Sequence, residues 1–189
     1  MTVPYSQFEN KGYVYNICVV GDANVGKTSI VRRLVKYDFT PDNTPFSKPV
    51  VEHNMKVNGK DVRLRFHDPK SDEMNGGGSF YTNCEMLIYV FNYTELNTLE
   101  HCLKWDQYCT HCVSKRCKKI LVGTHVDVTH TLTTDICEQH AHKLGCSLYS
   151  IDCKGGMGAL EIWEYICSDI QTKFIPMKEA ENSILVNLV

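Results

Sequence analysis

The chain has no long apolar run, no excess of one charge and no low-complexity tract. Each absence removes a class of function. No stretch approaches the roughly 20 apolar residues of a membrane-spanning helix. The polar opening "MTVPYSQFENKG" does not read as a secretory leader. A formal net charge of -2 gives no basis for a nucleic-acid partner or for an anionic membrane surface. The cytosol is therefore the expected compartment. Ten cysteines fit that compartment as reduced side chains, because most stand inside apolar runs such as "NICVV" and "EYIC". Asn92-Tyr93-Thr94 matches a glycosylation acceptor, but it ends an apolar strand and is read as chance. Lys115, Arg116, Lys118 and Lys119 form one short basic cluster, read as a solvated helix end.

What is present alternates. "YVYNICVV" is a continuously apolar strand, followed by a glycine-bounded loop and the helical "KTSIVRRLVKY". "VVEHNMKV" and "DVRLRFHD" flank Asn58-Gly59, the turn pair that most strongly signals a hairpin. "EMLIYVFN", "KKILVGT" and "CSLYSID" read as three more buried strands, with helices over about 96–113, 133–144 and 159–174 between and after them. Strand–helix alternation with one hairpin predicts an α/β domain. Its six-stranded sheet is mostly parallel with one antiparallel edge hairpin, and helices cover both faces. Residues 13–175 form this domain, with tails at 1–12 and 176–189.

The first loop carries chemistry. "VVGDANVGKTS" holds Gly21, Gly26, Lys27 and Thr28 in the phosphate-loop spacing G-x-x-x-x-G-K-T, after a strand and at the start of a helix. Glycines let backbone N–H groups turn toward a phosphate, and the helix N-terminus adds positive potential. Lys27 would neutralise terminal phosphate oxygens and Thr28 would ligate Mg²⁺. The loop from Gly21 through Asp22, Ala23, Asn24, Val25 and Gly26 to Ser29 is the expected cradle. A second loop, "GTHVDV", supplies Asp127, whose carboxylate can accept paired hydrogen bonds from a guanine edge.

At this point the sequence resembles the Ras-like small GTPases, particularly Rab and Rho proteins, over about residues 13–175. The resemblance implies the P-loop small-GTPase fold, GTP and GDP as ligands, Mg²⁺ as cofactor, and a regulatory role in signalling or vesicle traffic. The family base loop appears as Thr124-His125-Val126-Asp127, with His125 replacing a lysine or glutamine whose stem lies over the base. Phe39 falls where the family puts an aromatic against guanine, and Trp105 falls on its helix tryptophan. The late Ser-Ala-Lys motif stands as Asp152-Cys153-Lys154, with the Cys153 N–H available to the base oxygen.

The switch segments depart from the family. Asp68 matches the switch II aspartate and is expected to hold Mg²⁺ through water. The glycine position is Ser71, whose Cβ restricts the turn toward the phosphate. The catalytic glutamine position is Asp72, which when ionised only accepts hydrogen bonds and adds negative charge beside an anionic transition state. No residue is therefore assigned as catalytic, and hydrolysis is expected to be very slow or absent. In switch I, counting from Lys27 places Phe46, and counting back from Asp68 places Pro45, at the Mg²⁺ threonine. Thr44 is the nearest hydroxyl and Ser47 the next. Gly76-Gly77-Gly78 replaces a short apolar helix and disfavours one there.

The remaining motifs read as structural. "CTHC" at 109–112 falls where packing residues are expected, and "GGMG" at 155–158 reads as a turn before the last helix. The family usually ends in prenylated cysteines, and none follows Cys167, so no prenyl anchor is expected on this chain. Protein effectors or regulators meeting the switch surface are the expected partners, with membrane recruitment through one of them. The rival reading is a pseudo-GTPase, an interaction module with fixed nucleotide or none.

Overall fold

The computed structural model describes residues 12–36, 50–67, 81, 83–129 and 131–173. Ten elements follow in order: β1 (Tyr13–Gly21), α1 (Lys27–Lys36), β2 (Val50–Val57), β3 (Lys60–His67), β4 (Met86–Asn92), α2 (Leu96–Thr110), β5 (Lys118–Thr124), α3 (Thr134–Leu144), β6 (Ser147–Ser150) and α4 (Ala159–Lys173). The strands form one six-stranded sheet in the order β2-β3-β1-β4-β5-β6. All neighbours run parallel except β2 and β3, which close as a hairpin at Asn58 and Gly59 with positive φ of 49° and 76°. Both residues must be left-handed in this turn type, which is why the pair Asn-Gly marks it. β2 is an edge strand, and its exposed Glu52, Asn54 and Lys56 alternate with half-buried residues.

Apolar side chains leave both faces of the central strands. On β1, Tyr15, Ile17 and Val19 enter one layer with Ile30 and Leu34 of α1 and Ile162 and Ile166 of α4. Cys18 and Val20 enter the other, with Leu99 and Trp105 of α2 and Cys137 and Ala141 of α3. β4 divides in the same way and is buried along its whole length. Continuous apolar runs in β1 and β4 are therefore the signature of strands covered on both sides. Each fully buried Leu, Ile or Phe contributes roughly 1.5–3 kcal/mol, so these two layers supply most of the driving force.

Three expectations need correction. β6 is not a buried strand but a partly exposed edge, because it pairs only with β5. The helix expected to reach Val113 ends at Thr110, where Cys112 and Val113 both donate back to Cys109 O. The basic cluster is no helix end: Lys118 and Lys119 begin β5, and Lys119 donates to Asp106 Oδ1 at 2.6 Å. Burial acts to raise the Asp106 carboxyl, but hydrogen bonds from Lys119 and Tyr89 outweigh it and hold the group below its ordinary value.

The sheet order places a branch point at β1. From it the chain goes to β3 on one side and to β4 on the other. In open α/β sheets the crevice beyond the carboxyl ends at such a point is where ligands bind. The loop after β1 lies there.

Candidate functional site

That loop is held from three sides. Gly21 ends β1 with φ +150°, and a Cβ there would overlap Val90 O of β4. Gly26 turns the chain into α1 with φ +93°, and a Cβ would lie 3.4 Å from the Thr124 methyl. Both positions therefore require glycine, the second for conformation more than for space. Asn24 is also left-handed, at φ 63°. Ile30 N–H bonds to Gly26 O at 3.0 Å, so the first turn of α1 begins at the loop itself. The N–H groups of such a first turn have no partners inside the helix and face an anion with the positive end of the dipole.

Lys27 lies beneath this arch, only 9% exposed. Its Nζ donates to Gly21 O at 2.9 Å and to Asp22 O at 2.6 Å. The ammonium is thus parked on backbone carbonyls at the point where a phosphate would meet it. Thr28 and Ser29, next along α1, are half-buried, while Ala23 and Asn24 are exposed.

The Asp22 side chain turns the other way, onto α2. His101 Nδ1 lies 2.6 Å from Oδ2, and Trp105 Nε1–H donates to Oδ1 at 3.2 Å. This clamp joins the loop to a helix 79 residues away, and nothing in the sequence points to it. Trp105 itself is 2% exposed in the α2–α3 layer, so its indole is fixed by packing as well.

Thr124 joins the two nucleotide loops. It is 2% exposed, and its Oγ1 lies 2.7 Å from Val25 O, 3.1 Å from Phe91 O and 2.9 Å from His125 Nδ1. A hydroxyl has one hydrogen to give. The shortest bond assigns it to Val25 O, so His125 is the donor through Nδ1–H. His125 is exposed and left-handed, at φ 59°. The result is a chain of donors, His125 to Thr124 to the phosphate loop. Thr124→Val keeps the shape and deletes the hydroxyl. It is expected to cost about 1–3 kcal/mol in a urea unfolding curve, because the buried Val25 O loses its donor and His125 Nδ1–H loses its acceptor. A loss below about 0.5 kcal/mol would contradict this role.

Asp127 is exposed two residues further on. The late loop lies beside it. Asp152 Oδ1 accepts Lys154 N–H at 2.8 Å, an Asx-type turn. Arg33 of α1 reaches across to bond Cys153 O from Nε at 2.8 Å and from Nη2 at 2.5 Å, and Lys154 O at 2.6 Å. Burial pushes the Cys153 thiol up to about 12, against the lowering effect of Arg33, with Asp152 and Asp127 adding to the rise. Arg33 was not foreseen from sequence, since its partners lie 120 residues on.

Of the expected site residues, the structure brings together Gly21 through Ser29, Thr124, His125, Asp127, Asp152, Cys153 and Lys154. Phe39, Thr44, Asp68, Ser71, Asp72 and Gly76–Gly78 lie outside the described residues. The arrangement fits a nucleoside diphosphate or triphosphate: a cradle of backbone N–H groups, a buried ammonium, and an exposed carboxylate on a loop tied to that cradle. Thr28, half-buried in the first turn of α1 beside Lys27, is the described hydroxyl that would hold a Mg²⁺ beside phosphate oxygens.

Comparison with known proteins agrees with this geometry. The sequence model of the Ras family matches residues 16–172. The chain is 24% identical over 183 residues to the Ras-related protein RabC of Dictyostelium discoideum, covering 92% of each chain. It is 26% identical over 178 residues to the Ras-related protein SEC4 of Saccharomyces cerevisiae, covering 91% of this chain and 83% of that one. Against the Ras-related protein RabH of Dictyostelium discoideum it is 24% identical over 164 residues, 83% of this chain and 81% of that one.

Proposed function

This chain belongs to the Ras family and is Rab-like; from that premise we propose that it is a regulatory switch that binds GTP and GDP with Mg²⁺ and hydrolyses GTP poorly. The observation that carries the reading is the Thr124 bond to Val25 O, which ties the base loop to the phosphate loop. Lys27 and the N–H groups at the start of α1 receive the phosphates. Thr28 contributes its hydroxyl to the metal, with Asp68 through water and Thr44 as the nearest switch I hydroxyl. Asp127 reads the guanine edge, His125 and Phe39 bracket the base, and the loop at Asp152, Cys153 and Lys154 closes over it. Protein effectors or regulators bind through the switch segments. Among the described residues no helix is long and apolar enough to cross a membrane. The site of action is the cytosol, with recruitment to membranes through a partner.

Ser71 and Asp72 support the slow chemistry. An attacking water needs a group that both accepts and donates, and Asp72 only accepts. Missing groups could come from a partner, for example an arginine. The same two residues favour a second reading, an interaction module whose nucleotide never turns over. Single-turnover GTP hydrolysis tests the point. The chain itself is expected to be near the uncatalysed rate, and Asp72→Gln to raise it by about tenfold or more. A rate typical of the family, unchanged by Asp72→Gln, would refute slow hydrolysis while leaving nucleotide binding intact.

A further inference from the structure

At the pole of the sheet where β4 and β5 begin, far along both strands from Asn92 and Thr124, two thiols meet. Cys117 Sγ donates to Cys84 Sγ at 3.9 Å. The backbones beside them are joined, with Lys118 N–H bonded to Glu85 O at 2.8 Å just before the parallel register Met86–Lys118. The start of a buried ladder therefore fixes the spacing of the two backbones that carry these sulfurs.

Their surroundings differ. Cys84 is 2% exposed and its thiol also reaches Met86 O at 3.0 Å. Cys117 is half-exposed and lines an open cavity of about 610 Å³. Lys118, Lys119, His142, Cys146 and Tyr165 line the same cavity. Lys118 is exposed and, among the described residues, has no acidic partner such as Asp106 gives Lys119, so the mouth favours an anionic visitor. A third cysteine, Cys18, also influences Cys84, but it is fully buried inside β1.

We propose that Cys84 and Cys117 are a dithiol pair oxidised to an intramolecular disulfide by a small anionic disulfide, with Cys117 the thiol that meets the oxidant. Cys117 loses its proton to solvent, and its thiolate attacks one sulfur of the oxidant RSSR. A mixed disulfide forms and one RS⁻ leaves. The Cys84 thiol, having lost its own proton, then attacks the Cys117 sulfur and expels the second RS⁻. Two protein thiols are oxidised, one RSSR is reduced, and the two protons end on two RSH. The distance left to close, from 3.9 Å to a bond of about 2.05 Å, is within reach of side-chain rotation. The Cys84 contact and burial raise the Cys117 thiol, and Cys84 is raised as well, so the exchange is slow at neutral pH. The product ties the first residues of β4 to those of β5 and closes the chain between 84 and 117, which raises the melting temperature. This site is independent of the nucleotide reading.

The test uses the reduced, folded chain with oxidised glutathione at mildly alkaline pH, followed by alkylation, digestion and mass spectrometry. A Cys84–Cys117 linked peptide is expected to be the main product. Cys117→Ser should leave Cys84 a free thiol, and Cys84→Ser should stop the reaction at a glutathione adduct on Cys117. If Cys84→Ser does not fold, the wild-type map and Cys117→Ser decide. A Cys84 joined to Cys18, a Cys117 joined to Cys146, or a Cys117 that does not react would overturn the proposal.

Discussion

Replacing Lys27 by alanine is expected to weaken GDP and GTP binding by about 100- to 1,000-fold. The ammonium is buried beneath the loop, where it donates to Gly21 O at 2.9 Å and to Asp22 O at 2.6 Å, both neutral acceptors. Transfer to phosphate oxygens replaces neutral acceptors by charged ones, and hydrogen bonds with an ionised partner are worth roughly 1.5–3 kcal/mol each. Two such bonds amount to about 3–6 kcal/mol, or roughly 100-fold and upward at about 1.4 kcal/mol per decade. The two neutral bonds given up in exchange hold the expected loss to the lower part of that range. Arginine is not a substitute, because its planar fork does not fit where a compact ammonium sits between two carbonyls. The effect on folding should be smaller, since the bonds given up in the nucleotide-free chain are to neutral loop carbonyls. Calorimetric titration with GDP, alongside a thermal melt, separates the two. Affinity within about threefold of the parent, in a protein that melts normally, would remove Lys27 from the phosphate site.

Asp127→Asn is expected to cost guanine nucleotides about 100-fold or more in affinity and to open the site to xanthine nucleotides. Guanine presents two donors along one edge, at N1 and the exocyclic amine, and a carboxylate accepts both. Asparagine offers one acceptor and one donor. Against guanine that donor faces another donor, whereas xanthine carries a carbonyl at the same place. Because Asp127 is exposed, the substitution should leave the melting temperature nearly unchanged. Competition between labelled GDP and unlabelled xanthosine diphosphate reads the exchange directly. Equal loss for both bases would mean that Asp127 supports the loop and does not read the edge.

Local features were legible in the sequence. The phosphate loop needs no tertiary knowledge, because its glycines, lysine and threonine act within eight residues and must follow a strand and open a helix. The hairpin was legible at Asn58-Gly59 for the same reason. Contacts that hold the loops together were not. Asp22 and His101, Val25 and Thr124, and Arg33 and Cys153 stand 79, 99 and 120 residues apart. Each is made by side chains that would serve equally well on a wet surface. β6 misled for a different reason: Leu148 and Tyr149 are apolar enough for a core strand, but an edge strand with one neighbour leaves them half-covered. The switch readings at Thr44, Asp68, Ser71 and Asp72 concern residues outside those described, and they stand on sequence alone.

The central claim is that two tied loops select a guanine nucleotide through Lys27, Thr124 and Asp127. It is tested most directly by titrating the nucleotide-free chain with GDP and with ADP, each in Mg²⁺ and again after chelation. The account predicts that GDP binds at least about 100-fold more tightly than ADP, and that chelation weakens GDP. ADP binding as tightly as GDP, or neither binding at all, would contradict it.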